Sequence, residues 1–485
     1  GIDIGTSSSK GVLVDFGGRI HATAVREHDT ARPLPGQVEM DSAIWWQEFI
    51  EISRELTATD NVRVVGVGVS GMGPCVLITD EHANALRPAI LYGIDARALE
   101  QIDSLNRAFG ERSIVERCGS ALSTQAVGPK LAWLSQHEPD VAARARMLFM
   151  PSSWLAYQLT GEYVLDHHSA SQCTPMYDTS AHDWYPPYAA PLMQSIELPR
   201  LVWPGEIAGH VNAEAASKTG IPKGVPVIGG TIDAWSEAVS VGAQRPGDLM
   251  LMYGTTMFLI NTLQDRATSS SLWGTVGVLP GTYNLAGGMA TSGAITAWLR
   301  KLVGSPDFST LLEEANRSGP GANGLLMLPY FAGERTPVAD PDARGLLAGL
   351  TLNHSRGDLY RATLEATAFG VRHNVQELEN RGGSVRRTIA VGGGTQGGLW
   401  TQIVSDVTGL EQQTPFVTIG ASFGSAYLAA SALDTVAIHD WNPIVSVTKP
   451  REEFSERYEA LYGLYRELYE STSSVTHRLV ELAST

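Results

Sequence analysis

The sequence predicts an α/β protein built as two duplicated halves, on three observations. Apolar runs of period two alternate with runs of helical period along the chain. A strand, a glycine, a hydroxyl-rich turn and a second strand occur at "GIDIGTSSSKGVLVD". The same device returns about half a chain later as "GDLMLMYGTTMFLINT". The 485 residues exceed what one ordinary core organises and allow two to four domains. Two copies of one β-turn-β device imply halves that face a central cleft, because each copy can grip only one side of a ligand.

Hydrophobic residues at 43% and charged residues at 18% describe an ordinary globular chain. No apolar run is long enough to span a bilayer and no signal-peptide pattern opens the sequence. Gly1 falls inside a strand, so the natural chain is expected to begin a few residues earlier. A net charge of −16 without a basic cluster argues against a nucleic-acid surface, so an anionic ligand needs its own small positive site. Cys75, Cys118 and Cys173 fit neither a disulfide framework nor a zinc knuckle, and a reducing cytoplasm is the expected compartment.

In chain order, Ile2 and Ile4 alternate with Asp3 to form a strand that stops at Gly5. The following turn offers Thr6, Ser7, Ser8, Ser9 and the Lys10 ammonium to one anion, as a phosphate grip would; a merely Ser-rich hairpin turn is the other reading. A P-loop is absent. Gly66, Gly68 and Gly71 match G-x-G-x-x-G but lead through Pro74 into another strand, which removes the helix that a dinucleotide fingerprint requires. His167 and His168 are expected on an extended segment, pointing to opposite faces. Together with His182 they read as surface or capping residues rather than metal ligands. In "VPVIGGTIDAWSEAVSVGA" a strand ends at Gly229 and Gly230, with Asp233 at the mouth of a helix. It serves there either as a helix cap or as a carboxylate facing a ligand. Gly254, Thr255 and Thr256 form the second turn. Gly392, Gly394 and Gly397 sit between a strand and a helix carrying Trp400, Ile403, Val404 and Val407. No acidic residue follows for a ribose, so this turn reads as a flat bed for an adenosine. Phe454, Tyr458, Leu461, Tyr465 and Leu468 lie on one face of a C-terminal helix and read as core.

Taken in order, "GIDIGTSSSKGVLVD", "EMDSAIWWQEF", "SGMGPCVLITDEHANALRPAILYGIDAR", "KLAWL", "LTGEYVLDHHSAS", "GGTIDAWSEAVSVGA", "MYGTT", "GLLAGLTLNHSRGDLYRATLEATAFGV" and "VGGGTQGGLWTQIVSDVTG" resemble the FGGY carbohydrate kinases of the actin-like ATPase superfamily. The similarity covers essentially the whole chain and is nearest the xylulokinase-like and gluconate kinase-like members. It implies two ribonuclease H-like domains, 1–243 and 244–485, with a sugar deep in the cleft and Mg-ATP across it. It also implies that Asp3, Gly5, Thr6, Ser7, Ser8 and Lys10 form the first phosphate motif, and Gly254, Thr255 and Thr256 the second. Gly393, Gly394, Thr395 and Gln396 match the adenosine motif, and Asp233 matches the general base. Asp3 and Asp233 are the implied partners of Mg²⁺, and Gly71, Met72, Gly73, Tyr92, Asp95, Arg97 and Asp233 the implied sugar contacts.

The match has departures. Met72, Gly73 and Pro74 stand where glycerol kinases carry an Arg-Glu pair and xylulokinases a Met-His pair, and Ala234 stands where xylulokinases often carry Asn. "LYGIDAR" is one residue longer than the family pattern, and Asp95 with Arg97 also reads as a folding ion pair. Glycerol is therefore disfavoured. A pentulose such as xylulose, or a related ketose, polyol or sugar acid, is the expected acceptor. Small side chains at 73 and 74 are expected to leave the sugar end open, so that a bulkier acceptor surpasses xylulose. The partners expected are the small sugar or polyol and, at most, a second copy of the chain. A non-catalytic ATP-binding switch is the alternative, and a dinucleotide oxidoreductase a distant third.

Overall fold

The protein is described by a computed structural model covering residues 1–417 and 420–483. The chain divides into two units. The first holds Gly1–Arg245, Thr262–Asn284 and Ile419–Pro443, and the second holds Pro246–Asn261, Leu285–Thr418 and Ile444–Thr485.

The first unit carries a five-stranded sheet of β1 (Ile2–Ile4), β2 (Ser8–Val14), β3 (Ile20–Glu27), β4 (Val69–Gly71) and β5 (Thr231–Ile232), in the order β5-β4-β1-β2-β3. β1 runs antiparallel to β2, with Asp3 opposite Lys10, and parallel to β4, which is itself parallel to β5. The pattern buries Ile2 and Ile4 in one core with Trp45, Phe49, Ile52 and Leu56 of the Ser42–Thr57 helix. Those four recur at helical spacing, and Asp41 starts the helix by accepting from the Ala43 amide at 2.9 Å.

Close approach fixes a second helix pair in this unit. A Cβ on Gly424 of the Ala421–Ser431 helix would meet the Ser236 carbonyl oxygen at 1.8 Å. Ser236 Oγ donates to the Ala421 carbonyl at 2.8 Å. Only glycine permits this separation, which pins the helix Asp233–Ser240.

The second unit repeats the plan with β6 (Asp248–Tyr253), β7 (Met257–Leu263), β8 (Tyr283–Met289), β9 (Arg387–Val391), β10 (Gln412–Pro415) and β11 (Ile444–Thr448), in the order β8-β7-β6-β9-β10-β11, and a seventh strand, Trp273–Val276, pairs with β8 at the edge of the sheet. β6 is antiparallel to β7 and parallel to β9, which is parallel to β10, matching β1 with β2, β4 and β5. The C-terminal helix Ser455–Ala483 buries Tyr458, Tyr462 and Tyr465, and the Tyr465 ring lies 5.4 Å from that of Phe369. Of the expected stripe, Tyr458 and Tyr465 are thus core, whereas Leu461 and Leu468 are half-buried and Phe454, also half-buried, precedes the helix in the tight turn Glu452–Phe454.

The histidines differ from expectation. His167–Ser171 is a short helix because Asp166 caps it, accepting from the Ser169 amide at 3.0 Å. His168 is fully buried, with Nδ1 2.7 Å from the Val276 carbonyl and its ring 4.1 Å from that of Trp235. Burial pushes its pKa down to about 3, so it is a neutral core histidine and neither a surface nor a capping residue. Cys75, Cys118 and Cys173 are free and buried. Among the described residues, no helix is long and apolar enough to cross a membrane.

Candidate active site

The first unit gathers carboxylates beside its Gly5 turn. Gly5 donates to the Ser8 carbonyl at 3.1 Å to close the turn. From the flank, the His28 amide donates to the Ser7 carbonyl and His28 Nε2 lies 3.0 Å from the Gly5 carbonyl. His28 is in turn held by Glu48 at 2.9 Å. The turn is thus fixed before any ligand arrives, with Ser7 exposed and Gly5, Thr6 and Ser8 partly exposed. Lys10 is exposed on β2 opposite Asp3.

Asp3 is buried on β1 and accepts from Ser70 Oγ at 2.8 Å. Burial raises its pKa, and the Asp233 charge raises it further against the pull of Ser70 and Lys10. Asp233 is the first residue of its helix, with Ile232 at the cap position, and accepts from the Ala234 amide at 2.7 Å. Burial pushes its pKa up as well. One helical turn on, burial and both aspartates push Glu237 up to about 8. Glu237 was not singled out in the sequence, although its spacing of four from Asp233 puts both on one helix face. No group of three or more His, Cys, Asp or Glu side chains able to hold a metal occurs among the described residues. The carboxylates of Asp3 and Asp233 are oxygen donors of the kind that Mg²⁺ takes.

The residues expected around the sugar are placed as follows. Met72 is buried in the core, and its amide donates to the Ile4 carbonyl at 2.7 Å. A Cβ on Gly71 would meet Pro151 Cβ at 2.6 Å, and one on Gly73 would meet Ile232 Cγ1 at 2.7 Å. At Gly73 itself, Ile232 fills the space that a side chain would take. Arg97, with its side chain 1% exposed, pairs with Asp95 at 2.7 Å and Glu39 at 2.7 Å. The Tyr92 hydroxyl lies 2.9 Å from Thr6 Oγ1.

The second unit builds a cavity of about 600 Å³ beside its own turn. Gly254, Thr255 and Thr256 link β6 to β7. The amides of Ser292, Gly293 and Ala294, at the start of the Gly293–Leu302 helix, donate to the carbonyls of Gly254 and Thr255 at 3.0–3.1 Å. Gly392, at φ +93°, and Gly394 press against Tyr253, where a Cβ on either would come within 3 Å. Gly393–Thr395 is a single tight turn with Gln396 at its end. The cavity is lined by backbone at Gly393, Gly394 and Gly397 and by the side chains of Phe308, Leu312, Tyr360 and Trp400, and a Cβ on Gly394 would meet the Trp400 ring at 2.8 Å. Bare backbone beside aromatic and aliphatic side chains is a lining that suits a flat heterocycle. Trp400 was legible only as part of its helix, and Phe308, Leu312 and Tyr360 were not singled out, because they stand on segments without a turn motif.

Residues 1–240 match the N-terminal domain of the FGGY family of carbohydrate kinases, and residues 249–433 match its C-terminal domain. The chain belongs to the FGGY family of carbohydrate kinases. This FGGY kinase is 28% identical to the xylulose kinase of Escherichia coli (strain K12), over 89% of each chain. It is 30% identical to the glycerol kinase of Alkalilimnicola ehrlichii, again over 89% of each. The crystal structure of xylulose kinase from Rhodospirillum rubrum matches it with a TM-score of 0.92 at 32% identity, covering 98% of this chain and 99% of that one. The two-domain α/β fold is that of the FGGY kinases, an actin-like ATPase fold. The enzyme is a carbohydrate kinase, and a kinase of this family takes ATP as its substrate. The switch and oxidoreductase readings fall with that membership.

Proposed function

We propose that this kinase transfers the γ-phosphoryl group of Mg-ATP to a hydroxyl of a pentulose such as xylulose, or of a related ketose, polyol or sugar acid, with Asp233 as general base. The observation that carries the reading is the Asp233 carboxyl, raised by burial at the mouth of its helix and on one helix face with Glu237. A sugar hydroxyl is a poor nucleophile. A positioned carboxylate accepts its proton as the oxygen attacks phosphorus, the bond to the ADP oxygen breaks, and a phosphate ester and ADP leave. Asp233, once protonated, returns the proton to solvent.

The remaining roles follow from charge. Gly5, Thr6, Ser7, Ser8 and Lys10 give the phosphates hydrogen-bond donors and one cation, and Gly254, Thr255 and Thr256 offer a second set. Gly393, Gly394, Thr395 and Gln396 border the bed for the adenosine. Bound with the nucleotide, Mg²⁺ neutralises phosphate charge, and Asp3 with Asp233 would hold it through its waters. Relatives named xylulose kinase support a pentulose, and the absence of an Arg-Glu pair beside Met72 speaks against glycerol despite the glycerol kinase likeness. The test is ADP release with Mg-ATP against D-xylulose, other ketoses, polyols, glycerol and gluconate. Release dependent on a ketose, polyol or sugar acid of pentose size or larger is expected. Release with glycerol alone, or at one rate without any acceptor, would contradict the reading.

A further inference from the structure

The hydrogen bond between Tyr92 and Thr6 joins two segments that the sequence keeps 86 residues apart. A threonine hydroxyl has one proton. To donate it to a phosphate oxygen, Thr6 must receive its other hydrogen bond as an acceptor. A phenol, more acidic than an aliphatic alcohol, is the better donor of the two. The proton order that leaves Thr6 free to donate is therefore Tyr92 O–H to Thr6 Oγ1, with the Thr6 proton turned outward.

The surroundings hold Tyr92 where that bond needs it. The Gly93 amide donates to Gln125 Oε1 at 2.8 Å, and its carbonyl accepts from Thr124 Oγ1 at 3.0 Å. Fully buried Lys130 ties down the Thr124 carbonyl at 2.6 Å. Asp95 closes the turn after Tyr92, accepts from the Val38 amide at 2.7 Å and is clamped by Arg97. On the other side, His28 fixes the Gly5 turn. Two anchored segments thus meet at one hydroxyl pair. This preorganisation costs nothing further when ligand binds.

We propose that Tyr92 is a positioning residue for phosphate transfer, orienting the Thr6 hydroxyl toward the nucleotide phosphates rather than serving chiefly as a sugar contact. The proposal rests on the reading of Thr6 as a phosphate ligand.

The test is a cycle of Thr6→Val, Tyr92→Phe and the double variant in the full chain, reading Mg-ATP affinity by calorimetry without sugar. Thr6→Val should weaken Mg-ATP about tenfold, the size expected for one hydrogen bond to a charged group. Tyr92→Phe should weaken it about three- to fivefold, and the double variant no more than Thr6→Val alone. Thr6→Ser, which keeps the hydroxyl, should retain both the affinity and its sensitivity to Tyr92→Phe. D-Xylulose affinity measured without nucleotide should not change in Tyr92→Phe. If Thr6→Val leaves Mg-ATP affinity intact, the phosphate reading of Thr6 fails and the proposal with it. If Thr6→Val weakens binding while Tyr92→Phe does not, or if the two losses multiply in the double variant, the positioning role alone is overturned. A Tyr92→Phe defect confined to D-xylulose would make Tyr92 a sugar contact instead.

Discussion

An unperturbed aspartate, with a pKa of about 3.9, is a feeble base toward a sugar hydroxyl. Burial raises Asp233 and so increases the drive for it to accept a proton. Burial and the neighbouring Asp233 charge raise Asp3 as well. Only the ionised form of Asp233 can act as base, so activity is present above its raised pKa and lost as pH falls through it. The pH profile of kcat should therefore show an acid limb displaced above the ordinary aspartate value, with a slope of about tenfold per unit. An acid limb at or below about 3.9 would remove burial from the account. Asp233 was legible as a residue because two glycines and a helix start surround it. Its altered basicity was not, because that comes from burial by packing that no local pattern records. What packs beside Gly73 was hidden for a similar reason: Ile232, which occupies the space beside it, is far away in the chain.

Among the elements, the helix that carries Asp233 depends on a close contact. Gly424→Val would set a side chain against the Ser236 carbonyl, which is backbone and cannot swing aside. Overpacking of this kind costs about 1–3 kcal/mol or more. The variant should show a lowered Tm together with a fall in kcat, read by thermal melting and steady-state kinetics. A Gly424→Val protein with unchanged Tm would show that the helices can separate freely. The two β-turn-β devices, the glycine turn at 392–398 and the aromatic stripe of the last helix were readable because each is a local pattern of period or turn chemistry. The burial of His168 was hidden, since it needs the Asp166 cap and the Val276 carbonyl 108 residues away. The Gly424 contact was hidden likewise, its partner Ser236 lying near the middle of the sequence.

For the molecule as a whole, the recurrence of one strand order in both units is the structural form of the repeat seen in the sequence. Each copy joins a glycine turn to further residues: carboxylates with raised pKa values in the first unit, and the cavity of about 600 Å³ in the second. The return of Thr262–Asn284 and Ile419–Pro443 to the first unit has no mark in composition or motif. A chain with net charge −16 binds a polyanion only where donors and a cation such as Lys10 are concentrated, which fits a small phosphorylated ligand better than a nucleic acid. The central claim is that the first unit supplies the base for phosphoryl transfer. It is tested most directly by Asp233→Asn, which keeps the shape of the side chain and removes its basicity. Turnover of the preferred sugar and Mg-ATP affinity should be measured on the same preparation. Turnover should fall by about 100-fold or more with Mg-ATP affinity within about twofold of the parent. Near-normal turnover in Asp233→Asn would contradict the claim.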